Sequence, residues 1–107
     1  MTSPKVGQLH LLQQNLQSIQ QQKQQLEAQL METESALSEL QTTSQAYTIV
    51  GNLMVASSPS DLIKKMEERK ERTDLRVKNL AKQEEKIHQT MAGLQQDISK
   101  ELKPKKN

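Results

Sequence analysis

The chain contains no cysteine, no tryptophan and no phenylalanine, and its single tyrosine is Tyr47. Without cysteine there are no disulfides and no thiolate metal sites, which suits a reducing cytoplasm. Hydrophobic residues make up 33% and aromatic residues 1% of 107, so a compact globular core lacks its bulky fillers. Charge of one sign is scarce as well. Fifteen Lys and Arg against thirteen Asp and Glu leave a formal net charge of +2, little long-range attraction for nucleic acid or an anionic membrane. No apolar run approaches the roughly 20 residues of a membrane span, and the N-terminus has no secretory apolar core. These absences describe a soluble, cytoplasmic, mostly helical chain of one domain, 1–107, that cannot bury much of itself.

What is present is regular. Leu9, Leu12, Leu16, Ile19, Lys23, Leu26, Leu30, Thr33, Leu37 and Leu40 are spaced alternately by three and four. A 3.5-residue repeat held over more than four heptads is the seam of a coiled coil. The Gln-rich residues between Gln8 and Gln29 make its solvated face, since glutamine is a good helix former. Ser3 and Pro4 can open this helix, predicted over 4–41, and Thr42-Thr43-Ser44 breaks its pattern. A second seam runs through Ile63, Met66, Lys70, Thr73, Val77, Leu80, Glu84, Ile87, Met91, Leu94 and Ile98. Ser58, Pro59 and Asp61 are start signals for this helix, predicted over 59–102, with Ser58 and Asp61 in a capping-box arrangement. Pro104 stops it and leaves a short basic tail, 103–107. The mixed-sign charges between Lys64 and Lys86 are those of a solvated helix face, and no stacking aromatics accompany them.

Between the helices, residues 45–57 hold two β-rich runs joined by Gly51-Asn52, the chemistry of a two-residue hairpin turn. This loop sets Val50 opposite Leu53, Ile49 opposite Met54 and Thr48 opposite Val55. One face then carries Thr48, Val50, Leu53 and Val55; the other carries Tyr47, Ile49, Met54 and Ala56. Both faces are largely apolar, and a lone two-stranded ribbon is marginal in water. Something must cover it: either another chain or its own flanking helices.

A tight hairpin returns the chain, so the fold class is mostly α, an antiparallel two-helix coiled coil with one β-hairpin between the helices. Pairing Leu9 with Ile98 brings Lys23 beside Glu84 and Thr33 beside Thr73, so that polar breaks in the two seams meet. Lys70 is the exception, and it can extend its ammonium outward from Leu37. A half-heptad shift is an alternative register. Lys23 and Glu84 stay in the same or adjacent layers in both, and the pair is expected to specify register more than to stabilise. At the end that carries both termini lie Val6, Leu9, Leu11, Leu12, Leu16, Met91, Leu94, Ile98 and Leu102. Two helices cannot enclose all of these. They offer apolar surface for loosely held partners, or they only close the end of the coil. No catalytic or cofactor constellation is present: there is no phosphate loop, and His10 and His88 have no partner ligand at i+4. The expectation is a non-enzyme without cofactor or metal.

The layout of helix, hairpin and helix resembles the prefoldin β-type subunits, and particular residues carry the likeness. Gln20 to Glu27 resembles the Gln- and Lys-rich segment of the family's first helix. Tyr47-Thr48-Ile49-Val50-Gly51-Asn52-Leu53-Met54-Val55 resembles its hairpin signature, and Glu68-Arg69-Lys70-Glu71, Arg76, Leu80 and Gln83-Glu84 resemble its second helix. The likeness covers nearly the whole chain and is strongest to archaeal members. It implies an α2β4 hexamer with α-type subunits and other β copies, closed by the hairpins into a double β-barrel platform. Coiled-coil tips would hold unfolded client proteins, without ATP, for a group II chaperonin. Tyr47, Ile49, Val50, Gly51, Leu53, Met54 and Val55 would then be assembly residues, and the apolar end residues named above would contact clients. Two positions depart from the family pattern. Ala56 stands where a basic residue is frequent, and Lys103, Lys105 and Lys106 make the tail basic, not acidic. The alternative is a structural coiled-coil adaptor with fixed partners; binding to nucleic acid or membrane is not expected.

Overall fold

The computed structural model describes residues 4–102. Helix α1 spans Pro4–Thr42, strand β1 Ala46–Val50, strand β2 Leu53–Ser57 and helix α2 Pro59–Leu102. The Ser3 cap and the tail after Leu102, with its Pro104 stop, lie outside the described residues. The chain is mostly α: two long antiparallel helices with a single two-stranded antiparallel hairpin between them. Its described residues fall into two compact units, 4–24 with 78–102, and 25–77.

In the first unit, Leu16 is buried, and Leu9, Leu12, Ile19, Leu80, Ile87, Met91, Leu94 and Ile98 are half-buried. The 3-4 spacing explains this, because it returns each seam residue to the same stripe of its helix. In the second unit, Leu26, Leu37, Thr33 and Thr73 are buried, and Leu30, Leu40, Ile63, Met66 and Val77 are half-buried. Thr33 reaches its burial satisfied: its hydroxyl donates to the Gln29 carbonyl at 2.8 Å. Lys70 is the one exposed seam residue, its ammonium 3.8 Å from the Glu34 carboxylate. Among the described residues no large side chain is less than 2% exposed. A two-helix coil has an apolar stripe but no interior.

Side-chain hydrogen bonds end α1. Thr42 Oγ1 donates to the Glu39 carbonyl at 3.2 Å, and Thr43 Oγ1 donates to the Gln45 carbonyl at 2.9 Å. Threonine hydroxyls offer the backbone partners that compete with the next helical turn. The hairpin then pairs Ala46 with Ser57, Tyr47 with Ala56, Thr48 with Val55, Ile49 with Met54 and Val50 with Leu53. Gly51 has φ of +61°, and among the described residues no other has positive φ. A two-residue turn with positive φ at its first central position only is of type II′, which asks for glycine there and not at Asn52. The Thr48 and Ser57 hydroxyls meet at 2.8 Å on the diagonal of one face.

Helix α2 begins as its serine predicts, but through different atoms. The Ser58 carbonyl accepts from the Leu62 N–H at 3.1 Å, which makes Ser58 the capping residue. Its hydroxyl is engaged by Ser60 Oγ at 2.9 Å, so the expected capping box with Asp61 is replaced by a serine pair. Asp61 still places negative charge in the first turn, where the helix dipole favours it.

Candidate assembly and binding surfaces

The hairpin is the most exposed apolar element of the second unit. Ile49 is 72% and Leu53 69% exposed, and Tyr47, Val50, Met54 and Val55 are exposed with them. Because period-2 alternation sends these side chains to both faces, neither face is covered. The flanking helices do not fold over it. They form, with one face, an open groove of about 630 Å³ lined by Leu40, Tyr47, Ile49, Met54, Leu62 and Met66 among others. The α1 and α2 members of this groove, Leu40, Leu62 and Met66, were not legible as one surface in the sequence. The signal for Leu62 was weak: an apolar pair, Leu62-Ile63, near the start of α2, with only one member on the seam. With two strands, both are edges, and each presents unpaired backbone donors and acceptors.

In the first unit the two helix ends meet: Lys5 Nζ donates to Glu101 Oε1 at 2.7 Å. That hydrogen bond holds the Lys5 ammonium above its ordinary pKa. Both partners are well exposed, so the clamp is a weak one. Around it the apolar residues are not equivalent. Leu11 is 58% and Leu102 78% exposed, whereas Val6, Leu9, Leu12, Met91, Leu94 and Ile98 are half-buried. Leu16, at 9% exposure, belongs to the seam and underlies the surface instead of forming it. Met31 and Leu75, exposed in the second unit, escaped the sequence reading because they lie off the seam. His10 and His88 are exposed, with His10 Nε2 3.3 Å from Gln14 Nε2. Among the described residues no helix is long and apolar enough to cross a membrane.

Lys23 Nζ donates to Glu84 Oε1 at 2.8 Å, and the carboxylate side chain is only 14% exposed. This charge-assisted bond stands in the first unit's stretch of the seam, otherwise made of leucine, isoleucine and methionine. Each partner makes the other's desolvation tolerable, so removing one is worse than removing both. Lys23→Met or Glu84→Met alone is expected to lower unfolding free energy by about 1–2 kcal/mol. The double variant should recover most of that loss in urea denaturation, because two thioether side chains pack in the seam. Losses that simply add would show that the two residues do not act as a pair.

Comparisons with known proteins agree on one family. A family model described as prefoldin subunit matches residues 4–105. Prefoldin subunit beta of Archaeoglobus fulgidus is 42% identical over 102 residues, covering 92% of this chain and 88% of that protein. Prefoldin subunit beta of Pyrococcus horikoshii is 36% identical, covering 92% and 87%. The crystal structure of the prefoldin beta subunit from Thermococcus strain KS-1 superposes with a TM-score of 0.88 at 31% identity, over 94% of this chain and 91% of that one. A match of this length, on a chain whose hairpin interrupts two heptad helices at the family's place, leaves one assignment: the chain belongs to the prefoldin family of chaperone subunits, among its β-type members.

Proposed function

We propose that this chain is one of four β-type subunits that join two α-type subunits in a cytoplasmic, ATP-independent holdase, which captures non-native proteins and passes them to a group II chaperonin. The observation that carries the proposal is the hairpin, apolar on both faces, unpaired on both edges and exposed at each of its large apolar side chains. Closure of several such hairpins into β-barrels satisfies edges and faces together. Tyr47, Ile49, Val50, Gly51, Leu53, Met54 and Val55 are the assembly residues in this reading. Val6, Leu9, Leu11, Leu12, Met91, Leu94, Ile98 and Leu102 supply the client surface, supported from beneath by Leu16. Lys23 and Glu84 keep the two helices in register. Single contacts of this kind are weak; several arms acting on one client raise avidity by about 10²–10⁴.

The test is the native mass of the purified chain, alone and mixed with a two-hairpin α-type partner. A discrete hexamer forming in the mixture is the expected result. A monomer or simple dimer indifferent to that partner would remove the assembly role of the hairpin. The adaptor reading, one fixed partner and no protection of unrelated unfolding proteins, would then stand in its place.

A further inference from the structure

All the sulfur of this chain is thioether: there are five methionines and no cysteine. With no thiol to compete, a mild oxidant such as a peroxide attacks methionine first. Four of the five lie among the described residues, and their surroundings differ. Met66 and Met91 are half-buried members of the coiled-coil seam. Met31 and Met54 are open to solvent, at 69% and 68% exposure. Accessibility decides which thioethers meet the oxidant, so these two are the reactive ones.

Equal exposure does not give them equal consequences. Met31 stands on α1 off the seam, where an added oxygen meets water. Met54 stands on the hairpin directly across from Ile49, and it lines the open groove with Leu40, Ile49, Leu62 and Met66. None of those four side chains has a hydrogen to donate to a sulfoxide oxygen. In the single chain this costs little, because the exposed sulfoxide stays hydrated. Against a second hairpin the same oxygen loses its water and meets an apolar face.

We propose that Met54 is a redox-responsive modification site whose oxidation by hydrogen peroxide holds this chain out of its oligomer. The inference rests on the hairpin-mediated assembly proposed above and gives that assembly a control. The thioether sulfur attacks one peroxide oxygen, the O–O bond breaks, and the other oxygen departs as water. Sulfur is oxidised by two electrons to the sulfoxide, and the peroxide is reduced by two. A thiol-dependent sulfoxide reductase reverses the step: two thiols become a disulfide and the oxygen leaves as water. The site responds before assembly, since closure of the hairpins takes Met54 out of the oxidant's reach. Chains already in the oligomer are spared, and oxidised free chains wait for reduction.

In the experiment the free chain is treated with dilute hydrogen peroxide, cleared of it with catalase, and mixed with the untreated two-hairpin partner. Peptide mass spectrometry reads which methionines carry oxygen, and dissociation on dilution reads the oligomer. Met31 and Met54 are expected to oxidise ahead of Met66 and Met91. The oligomer should then dissociate at about tenfold higher concentration than one made from untreated chain, and reductase should restore it. Met54→Leu keeps the bulk of the side chain without its sulfur, and each variant is compared with itself before treatment. Met54→Leu should show no change on treatment, whereas Met31→Leu should show the full one. An equal loss in Met54→Leu, or undiminished assembly of wild-type chain oxidised at Met54, overturns the inference while the hairpin assembly stands. An untreated wild-type chain that forms no oligomer would remove both.

Discussion

A chain carrying Ile49→Asp and Val55→Asp is expected to remain a folded monomer under conditions where the wild-type chain joins its oligomer. The two positions lie on opposite faces of the hairpin, Ile49 across from Met54 and Val55 across from Thr48. Whichever face a neighbouring hairpin packs on, it meets a carboxylate. Within the single chain both side chains are exposed, so their replacement costs little: surface substitutions usually change stability by less than about 0.5 kcal/mol. In an assembly the balance reverses. Full burial of each aliphatic side chain contributes about 1.5–3 kcal/mol, and an unpaired buried carboxylate adds a penalty of several more. Repeated in four copies, these terms exceed what the remaining contacts supply, and dissociation should become at least 10³-fold easier. Sedimentation and helical circular dichroism together give the answer. A monomer with wild-type helicity is the expected result; an intact hexamer would show that the hairpin does not hold the assembly.

The parts of this architecture that were legible in the sequence are those fixed by local periodicity. The 3-4 spacing from Leu9 to Leu40 and from Ile63 to Ile98 marks residues that the structure buries at least in part, Lys70 excepted. Gly51-Asn52 sets the strand register because a two-residue loop leaves no freedom in which residues face each other. Features that depend on three-dimensional convergence were less legible. The groove under the hairpin draws Leu40 from one helix, Leu62 and Met66 from the other, and Tyr47, Ile49 and Met54 from the strands. No single period relates them. The capping box failed for a different reason: Ser60, beside Asp61, engages the Ser58 hydroxyl instead. Among the apolar end residues, spacing puts Leu16 on the seam and Leu11 and Leu102 off it, and the structure buries the first and exposes the other two. Membership of a seam is a property of spacing; fractional exposure depends on how far the helix pair stays closed.

Replacing Leu9, Leu12, Leu94 and Ile98 with glutamine is expected to abolish protection of an unfolding client against aggregation while the oligomer persists. Glutamine keeps the helical propensity of these positions and removes their apolar contact. If each arm's hold on the client weakens only tenfold, several arms acting together lose the product of those factors, so protection should fall by orders of magnitude. The four residues are half-buried, however, and their substitution also thins the seam of the first unit. A variant that spares the seam separates the two effects: Leu11→Gln with Leu102→Gln removes the two exposed apolar side chains of the helix ends. That pair should reduce protection several-fold with helicity and native mass unchanged. Dissociation of the oligomer in the fourfold variant would sink the division of labour between hairpin and helix ends. Full protection by both variants would place the client surface elsewhere, with exposed Met31 and Leu75 the next side chains to replace.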